Sequence, residues 1–200
     1  MNPIETKIRI NEIFYSLQGE GFWAGTAMIF IRFSGCNRAC SFCDTQHKEN
    51  TEMSVGDIVK HVEQFSSCKR VLITGGEPML QKEGLHVLSL TLAAMGYIVH
   101  LETNGDFLID PSEVDWLTVS PKGPEWKQKS GDEIKLVFLN QSKADLDKFL
   151  LSTDEEFFRY HFLQPCSSAQ ESNVREVVEY IKADPRWQLS LQTHKLIGVQ

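Results

Sequence analysis

Apolar residues alternate with polar ones in short runs that predict strands, and between these runs they recur at helical spacing. β-Branched and aromatic runs bounded by turn residues predict the central strands. These runs are 28–33, 71–74, 97–101, 117–119, 134–138 and 161–163. A leading, hairpin-like strand at 8–15 and a closing strand at 188–192 flank them. Strands interleaved with helices are typical of a mainly parallel sheet.

Four amphipathic stretches predict helices, at about 54–65, 78–96, 144–151 and 174–184. Ser54 is a suitable N-cap for the first. Pro78 is favoured in the first turn of the second helix, and Gly96 is favoured at its end. The fourth helix ends before Pro185, which cannot continue a helix.

The intervals 102–115 and 120–132 contain turn residues and have no room for a full helix. A complete eight-unit barrel needs roughly 250 residues, whereas this chain has 200. The predicted fold class is therefore α/β, a truncated, partly open (β/α) barrel of about six parallel strands with fewer helices than strands. We expect a single domain over 1–200, with a strand extension at 1–25, a cysteine loop at 35–47 and a tail at 188–200.

Composition narrows the possible functions. The chain is 42% hydrophobic and 24% charged, which excludes a disordered or fibrous protein. Its 20 basic and 27 acidic residues give a net charge of −7, which disfavours binding to nucleic acid or to a membrane surface. Without an apolar run of membrane-spanning length or a secretion signal at the N-terminus, we expect a soluble, cytoplasmic protein.

The chain has five cysteines, and three of them, Cys36, Cys40 and Cys43, lie within eight positions directly after a predicted strand. An odd number of clustered thiols indicates a metal or cluster site rather than a disulfide framework. A [4Fe–4S] cluster held by only three cysteines keeps one iron open for a small-molecule ligand. A structural zinc site with His47 as fourth ligand is the alternative from spacing alone.

This loop, with Phe42 before its last cysteine, resembles the cluster motif of the radical S-adenosylmethionine (SAM) superfamily. The segment 74–78, which contains Gly75, Gly76 and Glu77, resembles the glycine-glycine-glutamate motif of the same superfamily. The resemblance implies a [4Fe–4S] cluster on Cys36, Cys40 and Cys43, with SAM bound to the open iron. It also implies that the backbone and carboxylate of the second motif hold the methionine amino group, and residues without Cβ allow such close approach.

Within the superfamily, the chain is similar to the 7-carboxy-7-deazaguanine synthase family over nearly its whole length. The segments that carry this similarity are 16–21, Arg32, 35–37, 43–45, 102–105, 120–122, 164–165 and 192–195. The family converts 6-carboxy-5,6,7,8-tetrahydropterin to 7-carboxy-7-deazaguanine by hydrogen abstraction, ring contraction and loss of ammonia, in the queuosine and 7-deazapurine pathway. The resemblance further implies a flavodoxin-type electron donor and a homodimer.

The resemblance assigns residues to three groups, and no catalytic side chain beyond the cluster and the SAM radical. The substrate group comprises Leu17, Gln18, Gly19, Glu20, Arg32, Thr74, His194 and the C-terminal carboxylate of Gln200. The SAM group comprises Ser41, Phe42, Cys43, Gly75, Gly76, Glu77, Asn104, Ser120, Pro121, Lys122, Gln164, Pro165, Cys166 and Ser167. Thr45 is the implied Mg²⁺ ligand.

Chemistry agrees with parts of this assignment. Glu20 or Gln18 can pair with the donor edge of an aminopyrimidinone, and Arg32 offers a bidentate fork for a carboxylate. Without the family match, the less favoured alternatives are that Glu20 is a solvated turn residue and Arg32 is half of a surface ion pair.

Two other functions stay open at this point. One is a different radical SAM enzyme, such as an activase that installs a glycyl radical in a protein partner, which would leave Gln18, Glu20 and Arg32 unexplained. The other is a non-enzymatic zinc or electron-carrier module, which would not cleave SAM.

Overall fold

The strands of the protein form one continuous, curled sheet. The computed structural model describes residues 2–46, 50–150, 157–166 and 173–200, and nine strands lie within these ranges. They are β1 (Lys7–Leu17), β2 (Ala27–Phe33), β3 (Thr51–Ser54), β4 (Arg70–Gly75), β5 (Ile98–Thr103), β6 (Trp116–Val119), β7 (Gly131–Phe138), β8 (Phe158–Pro165) and β9 (Gln188–Leu189). Their spatial order is β3-β1-β2-β4-β5-β6-β7-β8-β9, so β3 and β9 form two edges and the barrel is open.

All strands from β2 to β9 in this order run parallel. β1 pairs antiparallel with β2, and β3 pairs antiparallel with β1. The sheet curls enough for Glu20, in the β1–β2 turn, to contact Lys135 on β7. The carboxyl ends of the parallel strands therefore surround one end of a common interior, which is where barrel enzymes place their sites.

Four of the five helices in the described ranges cover the outer face of this sheet, and the last packs against the β1–β2 turn instead. The five helices are α1 (Val55–Glu63), α2 (Lys82–Ala94), α3 (Lys143–Leu150), α4 (Val174–Ala183) and α5 (Thr193–Ile197). Short 3-10 turns occur at Pro3–Glu5, Pro78–Gln81 and Pro111–Glu113. Ser54 caps α1, since its hydroxyl accepts a hydrogen bond from Asp57 N at 3.1 Å.

Strand periodicity separates an apolar outer face from a polar inner face, because successive side chains point to opposite sides. Outward residues such as Ile31, Ile73 and Leu117 are fully buried in the main core beneath the helices. Their neighbours along the chain, such as Arg32 and Thr74, line the barrel interior instead. The same alternation that stabilises the fold thus supplies the polar groups of the interior.

The predicted fold class is confirmed, and every predicted strand and helix is present with shifted bounds. The second helix begins as the 3-10 turn at Pro78–Gln81, because its first regular turn starts only at Lys82. The intervals 102–115 and 120–132 contain one short 3-10 turn and no α-helix, as expected. Two elements, β3 and α5, are not predicted from the sequence, and they are only four and five residues long.

Candidate active site

A cavity of about 660 Å³ opens at the carboxyl ends of the parallel strands. Its volume suits a cofactor together with a small substrate. It is lined by the three clustered cysteines, by Thr45, and by every residue of the predicted substrate group: Leu17, Gln18, Gly19, Glu20, Arg32, Thr74, His194 and Gln200. Residues far apart in sequence therefore meet around one space.

Most of the predicted SAM group lines the same cavity. These residues are Phe42, Cys43, Gly75, Gly76, Asn104, Ser120, Lys122, Gln164, Pro165 and Cys166. Ser41, Glu77 and Pro121 are described by the structure but do not line the cavity. Ser167, and the alternative zinc ligand His47, lie outside the described residues.

The cysteine loop is fixed to the neighbouring strand ends by a partly buried polar network. Arg38, between the first two cysteines, donates from Nε to Asp106 Oδ2 at 2.6 Å and from Nη2 to Asp106 Oδ1 at 2.5 Å. Asn37 also donates to Asp106, and Asn104 donates to Asn37. The Arg38 guanidinium holds the pKa of Asp106 below its usual range. This bidentate pair keeps the loop on the cavity wall.

Backbone contact explains the two adjacent glycines of the second motif. A Cβ on Gly75 would lie 2.2 Å from Phe33 O, and one on Gly76 would lie 2.0 Å from Gly35 O. Gly75 also has a φ of +147°. The close approach expected with a ligand is thus made first with the end of β2 and the start of the cysteine loop.

The carboxylate of Glu77 is engaged within the protein. Glu77 is 0% exposed, and it accepts hydrogen bonds from Met79 N, Thr103 Oγ1 and Asn104 N at 3.0, 2.8 and 2.7 Å. Burial raises its pKa. Its described contacts tie the end of β4 to the end of β5, so the expected contact between this carboxylate and SAM has no support from the geometry.

Three charged side chains meet at the centre of the cavity. Lys135, 3% exposed, donates to Glu20 Oε2 at 2.6 Å and to Glu102 Oε1 at 3.3 Å. Gln164 and Gln192 donate to Glu20 Oε1 at 3.2 and 2.6 Å. Burial opposes ionisation of Glu20, but the Lys135 ammonium and these hydrogen bonds lower its pKa to about 2. Glu20 is therefore a carboxylate at neutral pH.

The C-terminal segment closes one side of the cavity. Thr193 N donates to Gly19 O at 2.9 Å, and the imidazole of His194 lies so close to Gly19 that no Cβ would fit there. Lys195 and Gln192 both donate to Asp44, beside Thr45, and these contacts lower the pKa of Asp44. The tail thus joins the cysteine loop to the β1–β2 turn.

Arg32 forms an ion pair and also lines the cavity, so both roles predicted for it from the sequence are compatible with the structure. Its Nε donates to Glu12 Oε1 at 2.7 Å, across the directly paired positions of β1 and β2. Gln200 donates from its side chain to Glu12 Oε2, and Ser16 Oγ donates to Gln200 O. Arg32 still lines the cavity, so its guanidinium is held by a carboxylate while facing the space for a ligand.

Below the cavity, aromatic rings and a buried carboxyl fill the barrel. Phe22 and Tyr160 each stack on Trp116, and Phe22 N donates to Glu133 Oε2 at 2.9 Å. Burial raises the pKa of Glu133 to about 7, despite the opposing effect of Lys135. The interior floor therefore contains a group that titrates near neutral pH.

Glu133→Gln should change how stability depends on pH. In the folded protein Glu133 keeps its proton up to about pH 7, against a reference value of 4.5, so its contribution to the free energy of unfolding falls as pH rises between these values. Glutamine can still accept from Phe22 N. The stability of the variant relative to the parent should therefore rise by roughly 2 to 3 kcal/mol from pH 5 to pH 8.

Urea titrations at several pH values measure this difference. Glu63→Gln, at the exposed end of α1, is the matched control and should differ from the parent by less than about 0.5 kcal/mol throughout. A difference for Glu133→Gln that does not change with pH would contradict the assignment.

Several of these residues are not predicted from the sequence, namely Glu12, Arg38, Asp106, Glu133 and Lys135. A signal for the last two was present: charged Glu133 and Lys135 alternate with apolar Ile134 and Leu136 inside a central strand. Such alternation indicates a polar interior face. Glu12 had no comparable signal, because its role depends on the register of β1 against β2.

Within the described ranges, no group of three or more histidine, cysteine, aspartate or glutamate side chains converges as a site for a single metal ion. Cysteines that hold a cluster bind different irons and need not converge in this way. The described segments also include no helix long and apolar enough to span a membrane.

Comparison with known proteins agrees with this geometry. Residues 30–150 match the Radical SAM superfamily. A 7-carboxy-7-deazaguanine synthase of Bacteroides thetaiotaomicron is 44% identical over 193 residues, which cover 96% of this chain and 98% of that protein. The chain belongs to the 7-carboxy-7-deazaguanine synthase family.

Other members of the synthase family match over similar lengths. The synthase of Haemophilus influenzae is 35% identical over 210 residues, covering 100% of this chain and 97% of that protein. The crystal structure of QueE from Escherichia coli superposes with a TM-score of 0.74 at 28% identity, covering 92% and 93% of the two chains.

Membership of the synthase family makes the protein a radical SAM enzyme, which uses a [4Fe–4S] cluster and SAM. The residues present suit both groups. Three thiols, Cys36, Cys40 and Cys43, line one cavity on a single loop, and thiolates are the ligands that such clusters require. The same cavity has room beside the loop for SAM.

Proposed function

We propose that this protein converts 6-carboxy-5,6,7,8-tetrahydropterin to 7-carboxy-7-deazaguanine with loss of ammonia. The observation that carries the proposal is that one cavity gathers the cluster thiols, the predicted SAM residues and a set of polar groups suited to a pterin. When bound, the cluster and SAM supply a 5′-deoxyadenosyl radical that removes one hydrogen next to the substrate carboxylate. The task of the chain is to orient that hydrogen and exclude water.

The substrate is held at its two polar ends. Glu102 lines the cavity, its Oε1 accepts from Gln18 at 2.9 Å, and its Oε2 has no hydrogen-bond partner within the described part of the chain. Together with Glu20, it offers carboxylate acceptors for the N–H groups of an aminopyrimidinone ring. At the other end, Arg32 binds the substrate carboxylate with its guanidinium, and His194 lines the same cavity.

SAM lies along the wall formed by the cysteine loop and the ends of β4, β6 and β8. The backbone at Gly76 receives the methionine amino group, since the carboxylate of Glu77 is already satisfied. Lys122 donates to Ser120 at 2.7 Å, and both line the cavity. Gln164 and Pro165, at the end of β8, complete this wall.

Thr45 binds Mg²⁺ through its hydroxyl, with water and substrate oxygens as the other ligands. Thr45 lines the cavity, while its neighbour Asp44 is engaged by Lys195 and Gln192. A hard cation completed by the substrate would neutralise part of the charge of that substrate. Turnover after removal of divalent ions with a chelator, and after addition of Mg²⁺ alone, tests this step.

The remaining proposals concern the setting of the reaction. All of 1–200 acts as one domain in the cytoplasm, where its five free cysteines stay reduced. A flavodoxin-type donor reduces the cluster through the face that carries the exposed Cys43. The chain forms a homodimer, for which Leu196 and Ile197 offer exposed apolar surface; light scattering would measure the mass.

The deciding experiment is anaerobic. The protein is reconstituted with iron and sulfide and given SAM, dithionite, Mg²⁺ and the tetrahydropterin, and products are followed by mass spectrometry. We expect 7-carboxy-7-deazaguanine. If 5′-deoxyadenosine forms without this product, the assignment to the radical SAM superfamily stands and the proposed substrate is wrong, as it would be for an activase. If the protein is colourless, binds zinc and does not cleave SAM, the proposal that it is an enzyme is wrong.

A further inference from the structure

Lys135 is a buried cation for which the proposed reaction has no direct use. It lies on β7 with 3% of its surface exposed, and its ammonium points into the cavity between two carboxylates. Removing a charged amine from water costs several kcal/mol, so such a group persists only where other charges compensate it.

The compensation comes from two different parts of the barrel. Glu20 reaches Lys135 from the β1–β2 turn, and Glu102 reaches it from β5. Burial alone would lower the pKa of Lys135, but Glu102, Glu20 and Glu133 together raise it well above its usual value. Lys135 is therefore charged under all conditions of interest.

Other charged and titratable groups also surround this pair of carboxylates, and each could affect their protonation. They are Glu133 on β7, Lys122 after β6, Asp44 in the cysteine loop and His194 on α5. Lys122 donates to Ser120 rather than to a carboxylate. Lys135 is therefore the cation that makes direct hydrogen bonds to both acids.

Two carboxylates that share one cavity repel each other, and without a cation between them one retains a proton. A protonated carboxyl is a donor, whereas the edge of an aminopyrimidinone presents N–H groups that need acceptors. The protonation state of this pair thus decides whether the cavity accepts such a ring.

We propose that Lys135 is a positioning residue for the substrate, which holds Glu20 and Glu102 side by side as two ionised acceptors. Lys135 acts through these carboxylates and does not touch the reacting atoms. Its effect on the carboxylates is a property of the protein alone, while its effect on turnover rests on the proposed function.

The first measurement is infrared difference spectroscopy of carboxyl groups in the cluster-free protein at pH 7. All variants carry Glu133→Gln, which removes the other interior carboxyl that titrates near this pH. Lys135→Met should show one additional protonated carboxyl. The double variant Lys135→Met/Glu20→Gln should lose that signal, because it removes the buried carboxyl that Lys135 keeps ionised.

The matched control is Lys122→Met, which removes a neighbouring, partly buried ammonium. It should show no additional protonated carboxyl. An additional protonated carboxyl in Lys122→Met would overturn the proposal, since the effect would then follow from the general loss of positive charge. The absence of an additional protonated carboxyl in Lys135→Met would also overturn it, since the effect would not exist.

If Lys135→Met is unstable, the folding of the variants provides a second test of the proposal. Repulsion between the two acids predicts that Lys135→Met/Glu20→Gln folds even where Lys135→Met does not. Failure of both proteins to fold would show that Lys135 serves packing alone, and would equally overturn the proposal.

The kinetic arm uses the reconstituted enzyme. Lys135→Met should raise KM for the tetrahydropterin by about tenfold or more and move the acidic limb of its kcat/KM profile upward by about one pH unit. Formation of 5′-deoxyadenosine without substrate should persist. If the parent protein makes no deazaguanine, the proposed function fails while the infrared result still stands or falls separately; unchanged KM and pH profile in an active enzyme would reject the role of Lys135.

Discussion

Replacing Cys40 by alanine should abolish SAM cleavage and the brown colour of the reconstituted protein while leaving the fold intact. Cys40 is one of three thiols on the cavity wall, and a cubane with only two protein ligands is under-coordinated. The core lies elsewhere, beneath the helices. In the cluster-free state, the melting temperature should therefore remain within about 2 °C of the parent.

Cys68→Ser provides the matched control. Cys68 is a buried thiol outside the cavity, and its Sγ contacts Ala27 O and Arg70 O at 3.4 Å. A serine hydroxyl can donate to the same carbonyls, so this variant should keep its iron, its visible absorbance and its SAM cleavage. Turnover that persists in Cys40→Ala would show that this loop does not hold the cluster.

Arg32→Ala should separate substrate turnover from SAM cleavage. Loss of a charge-assisted, bidentate contact to the substrate carboxylate is expected to lower kcat/KM for the tetrahydropterin by about 100-fold. Cleavage of SAM in the absence of substrate should change little, because the residues proposed to hold SAM, such as Gly76 and Lys122, do not include Arg32. Product and 5′-deoxyadenosine, measured in the same reactions, give the two rates.

Stability should not confuse this result. The side chains of Arg32 and Glu12 are 20% and 35% exposed, and partly solvated ion pairs contribute little to folding. Arg159→Ala, which removes an exposed arginine paired with Asp132, should leave both rates unchanged. Equal losses of both rates in Arg32→Ala would place Arg32 outside the substrate site.

The strands and helices could be predicted because their side-chain periodicity follows directly from local geometry. The β-branched run at 28–33 and the capped helix after Ser54 both appear close to their predicted places. Short elements such as β3 and α5 carry too few residues for any period to be visible. Their formation depends on pairing with β1 and on packing at the cavity.

The site could be predicted only where a motif marks it. The spacing of Cys36, Cys40 and Cys43 predicts a cluster site, and the carboxyl ends of parallel strands meet at one end of a barrel. The partners of those residues could not be predicted in this way. Asp106 binds Arg38 across 68 positions of sequence, and Lys135 reaches Glu20 across 115. Such pairs are fixed by sheet curvature and register, which no local pattern encodes.

The close approach of β4 to β2 has a consequence for how the site can change between related proteins. Gly76 N donates to Phe33 O at 3.1 Å and Glu77 N donates to Gly35 O at 2.9 Å, so the main chain beside Cys36 is bonded directly to the turn after β4. The position of the cysteine loop relative to that turn is then set by peptide groups, which side-chain substitutions in the cavity do not alter. The side chains of the cavity walls, and with them the choice of substrate, can therefore change while the loop stays in place.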